Sequence, residues 1–429
     1  MAHKPSLRWM PLDNAAKIYP AARTKQWTNV FRLSATLTEP VDAAVLQSAL
    51  DVTVKRFPSM ASRLRRGVFW YYLQELEQAP NLHPEQSCPL TRMSREELRR
   101  CALRVICWEN RIAVEFFHSL TDGNGGLVFL KTLLAEYLEQ KYGLAVPAEQ
   151  GVLDRRETPS PEELEDSFLK YDAPVNASRK ESDAWRLTGT PVPDGFRHLT
   201  CFRFPVSQAL NKAHGHGVSL TAFLAAALME ALLELQAEQV PNRRRRKPIK
   251  VLIPVNLRKL FPSKTLRNFA MYTIPEVDPK LGDYDFGELC SIVHHRMGLD
   301  VNPKRMGTMI ATNVNSERYM AVRVMPLFLK NLVMKAVFDA VGERKSCLSL
   351  SNLGAVEVPA VMKPYIQRLD FILGVQATSP HNVGVVSWNG TVYVNFIRNI
   401  QESGLERKFF QSLQRQGVDV TVESNYSNE

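Results

Sequence analysis

The sequence predicts an α/β protein with two domains, each built on a mixed sheet. A chain of 429 residues, 45% of them hydrophobic and 23% charged, is long enough for two cores of about 200 residues each. Strand and helix periodicities alternate in both halves. Between Pro147 and Pro193 the sequence is polar and proline-punctuated, as is typical of a crossover. We therefore expect domains over residues 1–175 and 195–429, joined by a linker over 176–194.

The elements of the first half follow from hydrophobic periodicities of 2 and of about 3.6 residues. An irregular entry segment, 9–20, precedes them. The predicted strands are 28–37, 60–66, 68–76, 103–108 and 112–117. The predicted helices are 42–57, which ends at Pro58, and a short one near 161–170. The strands form two hairpins, and the second hairpin delivers His118 to one end of a sheet.

The second half continues the alternation. The predicted strands are 198–204, 249–255, 346–351, 383–388, 391–396 and 418–422. The predicted helices are 219–236, 284–299, 318–341 and 405–414. Asn389 and Gly390 separate two of these strands, and this pair favours a type I′ turn because both central positions need positive φ.

The most informative stretch, Arg111 to Leu134, predicts a strand, a tight loop and a helix. Alternating apolar residues lead up to His118, and leucines recur at helical spacing after the glycine-rich break. A histidine at a strand end is often only structural. Here the H-x-x-x-D-G spacing of His118, Asp122 and Gly123 favours an imidazole held in one rotamer facing a cavity. Asp122 would then support the loop without touching substrate.

This motif resembles the active-site motif of the CoA-dependent acyltransferase superfamily. That superfamily includes chloramphenicol acetyltransferases, plant acyl-CoA alcohol acyltransferases, nonribosomal-peptide condensation domains and microbial alcohol acetyltransferases. The resemblance implies two chloramphenicol-acetyltransferase-like domains with an active-site tunnel between them.

A second stretch, 254–258 with the letters PVNLR, resembles the landmark whose arginine pairs with the motif aspartate. The following FPSKTLRNF is similar to the alcohol acetyltransferase branch. We therefore predict that Asp122 turns away from the cavity and forms a bidentate ion pair with Arg258, since guanidinium and carboxylate make paired hydrogen bonds.

The activity implied by the resemblance is acyl transfer from acyl-CoA to a small alcohol or amine. His118 would be the general base, and acyl-CoA, such as acetyl-CoA, would be a co-substrate rather than a permanently bound cofactor. Ser351 and Asn352 are possible oxyanion donors. Phe117 stands where condensation domains have a first histidine, which favours free acyl-CoA over an acyl carrier protein. The alternatives are a carrier-protein-dependent condensation-type acyltransferase and a catalytically inactive binding homologue.

The net charge of +10 favours an anionic partner. One basic run provides possible contacts for the CoA phosphates: Arg243, Arg244, Arg245, Arg246 and Lys247. A solvated loop is the alternative for this run. Nucleic-acid binding through this run, with the His118 loop only structural, is an alternative of a different class. Against it, the sequence has no known binding motif and no interleaved basic-aromatic stripe, so we expect no nucleic-acid partner.

Metal binding and membrane insertion are not predicted either. The six cysteines are scattered without a C-x-x-C pair, and His214 and His216 lack ligand partners at a diagnostic distance. The longest apolar run, 220–233, is interrupted by Glu230 and is too short to cross a bilayer. The N-terminus lacks an apolar signal core, so we expect a cytoplasmic protein without a transmembrane segment.

Overall fold

Two large sheets form the centres of the two halves in the computed structural model, which describes residues 7–23, 27–171, 182–318, 324–341, 343–376 and 379–425. The strands in these ranges are β1 (Trp9–Pro11), β2 (Val30–Leu37), β3 (Ser62–Arg66), β4 (Tyr71–Glu75), β5 (His83–Pro84), β6 (Leu103–Trp108), β7 (Arg111–Phe117), β8 (His198–Pro205), β9 (Ile249–Asn256), β10 (Ala270–Thr273), β11 (Glu276–Val277), β12 (Leu348–Ala355), β13 (Ile366–Ile372), β14 (His381–Trp388), β15 (Thr391–Arg398) and β16 (Thr421–Ser424). The α-helices are α1 (Ile18–Ala22), α2 (Ala43–Arg56), α3 (Arg95–Arg100), α4 (Gly123–Tyr142), α5 (Pro161–Leu164), α6 (Ser167–Lys170), α7 (Val206–Gly215), α8 (Leu220–Gln239), α9 (Phe286–Asp300), α10 (Pro303–Arg318), α11 (Leu327–Val341) and α12 (Gly404–Arg415).

The first sheet has the strand order β13-β2-β7-β6-β5. Its centre is the antiparallel β2–β7 pair, and β6 and β7 form the predicted hairpin. Helices α2 and α4 contact each other and bury Leu50 and Leu133 in the same core as Leu33. The β3–β4 hairpin pairs instead with β1 in a separate three-stranded sheet. The entry segment is therefore more ordered than predicted, because it contains β1 and α1.

The second sheet has the order β10-β9-β12-β14-β15-β8-β16, with β11 paired to β9. Because β9, β12 and β14 run parallel, the carboxyl ends of β9 and β12 lie at the same edge. Helix α8 is longer than the predicted apolar run, and it is the one helix of the described chain that is long and apolar enough to cross a membrane. Since 67% of its apolar window is buried inside the protein, it has the properties of a core helix.

The first sheet also receives a strand from the second half. Residues of β13 pair antiparallel with β2, from Ile366 opposite Leu37 to Ile372 opposite Arg32. The predicted second domain, 195–429, thus contributes a strand to the first sheet, where β13 protects an edge that would otherwise be open. A Cβ atom at Gly384 would lie 2.2 Å from the Phe371 carbonyl oxygen, so glycine is required where β13 and β14 approach each other.

Other boundaries differ for local reasons. The predicted helix 318–341 is wrong as one element: α10 ends at Arg318 and α11 begins at Leu327, directly after Pro326, while 319–323 lie outside the described residues. Strand β12 continues to Ala355, with a register shift after Asn352, so this asparagine is inside the strand rather than beyond its end. Helix α7 was not predicted, because it buries only alanines, Ala209 and Ala213.

The remaining local prediction is confirmed at the turn between β14 and β15. Asn389 has φ 44° and Gly390 has φ 79°, as a type I′ turn requires. The two strands pair along their whole length, from His381 opposite Arg398 to Trp388 opposite Thr391.

Candidate active site

The loop that carries His118 joins β7 to α4, as predicted. The His118 backbone N–H donates to the Asn29 carbonyl at 2.8 Å, which fixes the end of the strand beside β2. Asp122 is the N-cap of α4, and its Oδ1 accepts a hydrogen bond from Gly125 N at 3.0 Å. This cap satisfies a helix donor that has no partner within the helix. The loop is therefore held at both ends by hydrogen bonds.

Asn268, from the second half of the chain, determines the protonation pattern of the imidazole. Its Oδ1 lies 3.1 Å from His118 Nδ1. Its Nδ2 donates to the His118 carbonyl at 3.0 Å and to Asp13 Oδ2 at 3.2 Å, which orients the amide. Because an amide oxygen only accepts hydrogen bonds, Nδ1 must carry the proton. Nε2 is left with its lone pair, and no hydrogen bond reaches it within the described part of the chain.

Asp13, which accepts the hydrogen bond from the Asn268 amide, is itself held in place by its neighbours. Its Oδ1 accepts from Ala16 N at 2.7 Å, and its Oδ2 lies 3.6 Å from Arg267 Nε. The carboxylate is fully buried, and burial raises the pKa of Asp13 to about 6 despite the opposing charge of Arg267. The orientation of His118 thus depends on a buried chain of polar contacts that begins in the N-terminal segment.

Two aromatic rings enclose the imidazole. Tyr19 stacks on it with ring centroids 4.4 Å apart and planes 18° apart, and Phe31 meets it edge-on at 5.1 Å. Burial lowers the pKa of His118. Four weaker effects oppose this shift: the hydrogen bond of the imidazole to its own backbone, the charge of Asp122, the hydrogen bond that Nδ1 donates to Asn268, and the charge of Asp13. The balance favours a neutral imidazole at neutral pH, which is the form that can accept a proton.

Asp122 points away from His118 and toward the second half. Its Oδ2 accepts from Arg258 Nη1 at 2.8 Å and from Phe269 N at 2.9 Å. The predicted ion pair is therefore present, but the prediction that it is bidentate is wrong. The other guanidinium nitrogens donate to the carbonyls of Thr265 and Arg267, and Asp122 Oδ1 is occupied by the helix cap. One arginine thereby ties the loop to the 265–269 segment.

The loop and that segment approach very closely. Thr121 Oγ1 donates to the Leu266 carbonyl at 2.6 Å. A Cβ at Gly125 would lie 2.3 Å from the same carbonyl oxygen. Glycine is therefore needed at the first turn of α4, where the two halves of the protein meet around His118.

Gly123 and β12 lie on the other side of the loop. A Cβ at Gly123 would lie 3.0 Å from a methyl group of Leu353, so β12 passes beside the motif. Ser351 lies on the same strand, two residues before Leu353 and opposite Gly384 of β14. The Asn352 amide is engaged elsewhere: its Nδ2 donates to Thr221 Oγ1 and its Oδ1 accepts from Gly354 N.

The basic run, Arg243 to Lys247, precedes β9 and therefore lies at the end of this strand that is far from Arg258. Its first three residues form a turn before the strand, and Arg258 follows the strand's other end. With about 3.3 Å per residue, eight residues of β9 separate the two ends by roughly 26 Å. Arg243 pairs with Asp283 and Arg246 donates to the Val240 carbonyl. The structure thus does not bring this run to His118.

Sequence reasoning missed three residues of this site: Asn268, Asp13 and Tyr19. A signal existed for Asn268, because it belongs to the FPSKTLRNF stretch that resembles alcohol acetyltransferases. Asp13 and Tyr19 lie in the entry segment, which has no periodicity to mark them. Their contacts with His118 and Asn268 join residues about 100 or more positions apart.

Two open surface cavities lie outside this loop. One, of about 670 Å³, is lined by His198, Arg398 and Glu406, among other residues. The other, of about 430 Å³, is lined mainly by the N-terminal segment from Trp9 to Leu12 and by the aromatic residues 70–72. His118 lines neither cavity.

No protein-family model matches the chain, and no curated protein matches it in sequence. Solved structures do. TRI101 from F. graminearum, in complex with ethyl coenzyme A, has a TM-score of 0.62 at 10% identity, covering 98% of this chain and 100% of the other. TRI3 trichothecene 15-O-acetyltransferase from Fusarium sporotrichioides has a TM-score of 0.59 at 10% identity, covering 97% and 96%. The condensation domain of the Monacolin K polyketide synthase MokA has a TM-score of 0.57 at 12% identity, covering 96% and 97%.

These likenesses extend over nearly the whole chain. At sequence identities of 10–12%, these structural likenesses establish the fold alone. The chain therefore has the chloramphenicol-acetyltransferase-like fold that CoA-dependent acyltransferases and condensation domains share.

Proposed function

We propose that this protein transfers an acyl group from acyl-CoA to an alcohol, or to an amine, with His118 as general base. The observation that carries the proposal is the hydrogen bond between His118 Nδ1 and Asn268 Oδ1, which leaves a basic Nε2. The fold supports the choice of reaction, because solved structures with this fold include a trichothecene acetyltransferase and a complex with ethyl coenzyme A.

The chemistry requires a base at this position. An alcohol with a pKa near 16 is a poor nucleophile at neutral pH, so Nε2 takes its proton while the oxygen attacks the thioester carbon. The tetrahedral intermediate then collapses and expels the CoA thiolate, which receives that proton from Nε2. Such general acid–base catalysis contributes typically about 10²–10⁴-fold.

The surroundings of the imidazole suit the charge that develops on it. When Nε2 is protonated, the Nδ1–H bond to Asn268 becomes charge-assisted and therefore stronger. The negative charges of Asp122 and Asp13 also favour the imidazolium. Asp122 itself is not a base for substrate, since both of its oxygens already accept hydrogen bonds from the protein.

The oxyanion of the tetrahedral intermediate needs a hydrogen-bond donor on the side of the reacting carbon that lies opposite His118. We propose the hydroxyl group of Ser351, which lies on β12, the strand that passes Gly123 at Leu353. Asn352 is the weaker candidate, because its Nδ2 already donates to Thr221.

A carrier-protein thioester is the alternative donor, because a condensation domain has the same fold. Phe117 precedes His118 where condensation domains have a histidine, and it is fully buried in the first core. We therefore propose free acyl-CoA as the donor. An acyl carrier protein that supports turnover when acyl-CoAs do not would reverse this choice.

The test is release of free thiol from a panel of acyl-CoAs in the presence of alcohols and amines. We expect His118→Ala to lower turnover by at least about a hundredfold while CoA still binds, because a general base acts on the transition state. His294→Ala is the matched control, since His294 is exposed on α9. Thiol release by His118→Ala at the wild-type rate would remove His118 from the mechanism. Binding of CoA without thiol release by the wild-type chain would leave an inactive binding homologue as the better description.

A further inference from the structure

Helix α11 presents an apolar face to solvent rather than to the core. Phe328 is 68% exposed and Leu332 is 67% exposed, whereas Leu327 and Lys330 on the opposite side are buried. Leu329 and Val333 are also exposed, and their helical spacing places them on the side of Phe328 and Leu332. Val324, just before the helix, is exposed as well. A surface helix of a soluble protein normally buries its apolar side and exposes its polar side. An exposed apolar face such as this one is typical of an interaction site.

A turn from the first half extends the same surface. Val68 is 74% exposed, and the neighbouring Phe69 is exposed as well. Leu327 N donates to the Val68 carbonyl at 3.0 Å, and Lys330 Nζ donates to the Phe69 carbonyl at 2.9 Å. The turn and the helix are thus fixed to each other. We call the combined surface the outer face; it consists of Val68, Phe69, Val324, Phe328, Leu329, Leu332 and Val333.

The charged residues in the two segments that carry the outer face are all basic. Segments 62–72 and 324–336 contain three arginines, Lys335 and the buried Lys330, and no aspartate or glutamate. Arg63, Arg65 and Arg66 form no salt bridge with any residue that the structure describes. Large apolar side chains rimmed by cations are the pattern that binds the surface of an anionic bilayer, where the apolar groups enter the acyl boundary and the cations meet the headgroups.

We propose that the outer face docks this protein onto a bilayer that contains anionic lipid. The 430 Å³ cavity lies next to this face, because Trp70 lines it and the Lys330 ammonium lies 3.3 Å from the centre of the Trp70 ring. On its buried side, α11 packs against α1, which carries Tyr19 over the imidazole of His118. The docked helix therefore lies between the lipid surface and the loop of the candidate active site. Docking goes beyond the proposed function and does not depend on it.

The experiment uses the full chain without acyl-CoA and measures its co-sedimentation with phosphatidylcholine vesicles, with and without phosphatidylglycerol. We expect binding to the anionic vesicles that weakens as salt rises. The Phe328→Ser/Leu332→Ser double variant is expected to lower the partition coefficient by about tenfold or more, since two large apolar side chains no longer insert. The matched control is Leu281→Ser/Leu299→Ser, which removes leucines that are 82% and 73% exposed elsewhere.

Several results would overturn the proposal. The first is failure of the wild-type chain to bind anionic vesicles, and the second is equal loss of binding by the control variant. A wild-type dimer that the double variant converts to a monomer, without vesicle binding, would assign the face to a second copy. Binding to an acidic carrier protein but not to vesicles would assign it to that partner. Val68→Ser provides an independent variant in another segment, and thermal unfolding checks that each variant is folded.

Discussion

Replacing Asn268 by alanine tests the central geometric claim about His118. The side chain makes three contacts of 3.0 to 3.2 Å, to His118 Nδ1, to the His118 carbonyl and to Asp13. Only the contact with Nδ1 changes strength during the reaction, because the ring becomes an imidazolium. The variant therefore separates a catalytic effect from a structural one.

The magnitude follows from the change in that hydrogen bond. A neutral hydrogen bond contributes about 0.5–1.5 kcal/mol net, and one to a charged group about 1.5–3 kcal/mol. The additional stabilisation in the transition state is thus about 1–1.5 kcal/mol, which corresponds to about tenfold in rate. We expect Asn268→Ala to lower kcat about tenfold with little change in KM, since ground-state binding of acyl-CoA is not affected.

Asn382→Ala is the matched control. Both asparagines are 2% exposed, and Asn382 also uses both ends of its amide, with Gly374 and Ser349. Each variant should lose about 1–3 kcal/mol of unfolding free energy, measured by urea denaturation. The assay is thiol release under saturating acyl-CoA. A decrease in kcat below about twofold for Asn268→Ala, or an equal decrease for Asn382→Ala, would refute the orienting role of Asn268.

Further predictions concern the ion pair, the basic run and pH. Asp122→Asn leaves the Arg258 charge without its buried partner, so we expect a loss of roughly 3 kcal/mol of unfolding free energy in addition to slower turnover; a stable but slow variant would contradict this. If Arg243 to Lys247 contact the CoA phosphates, neutralising them raises KM for acyl-CoA and weakens its salt dependence; an unchanged KM would assign the run to a solvated loop. Because burial lowers the pKa of His118, kcat/KM should fall only below about pH 6.5, the pKa of an exposed histidine. Asp13, whose pKa is raised to about 6, titrates in the same range, so Asp13→Asn is needed to assign the acid limb; a limb above pH 7 would contradict the predicted direction.

The sequence was most informative where structure is determined locally. The strand before His118, the glycine break and the helix after it are all encoded within 24 residues, and periodicity finds them. The pairing of Asp122 with Arg258 came from resemblance to a family landmark, since nothing in local spacing joins residues 136 positions apart. The prediction of a bidentate pair was wrong because the carbonyl groups of Thr265 and Arg267 accept hydrogen bonds from the other guanidinium nitrogens of Arg258. Only the folded chain brings these carbonyl groups to Arg258.

The missed features have a common physical cause. Asp13 meets Asn268 across 255 positions, and no pattern in the entry segment distinguishes it from an ordinary surface aspartate. The outer face of α11 was missed for the opposite reason. Its apolar residues have clear helical spacing, and periodicity alone assigns such a face to the core. Only the exposure of Phe328 shows that it faces solvent.

The pairing of β13 with β2 has a consequence for how the chain is made. During synthesis, β2 emerges more than about 300 residues before β13, so its edge beside the first sheet remains open for most of translation. Such an edge, rich in buried apolar residues, is a template for pairing with other chains. A fragment ending near residue 175 should therefore aggregate, and adding a peptide that contains Ile366–Ile372 should improve its solubility. In the folded molecule, the last third of the chain thus completes the first sheet.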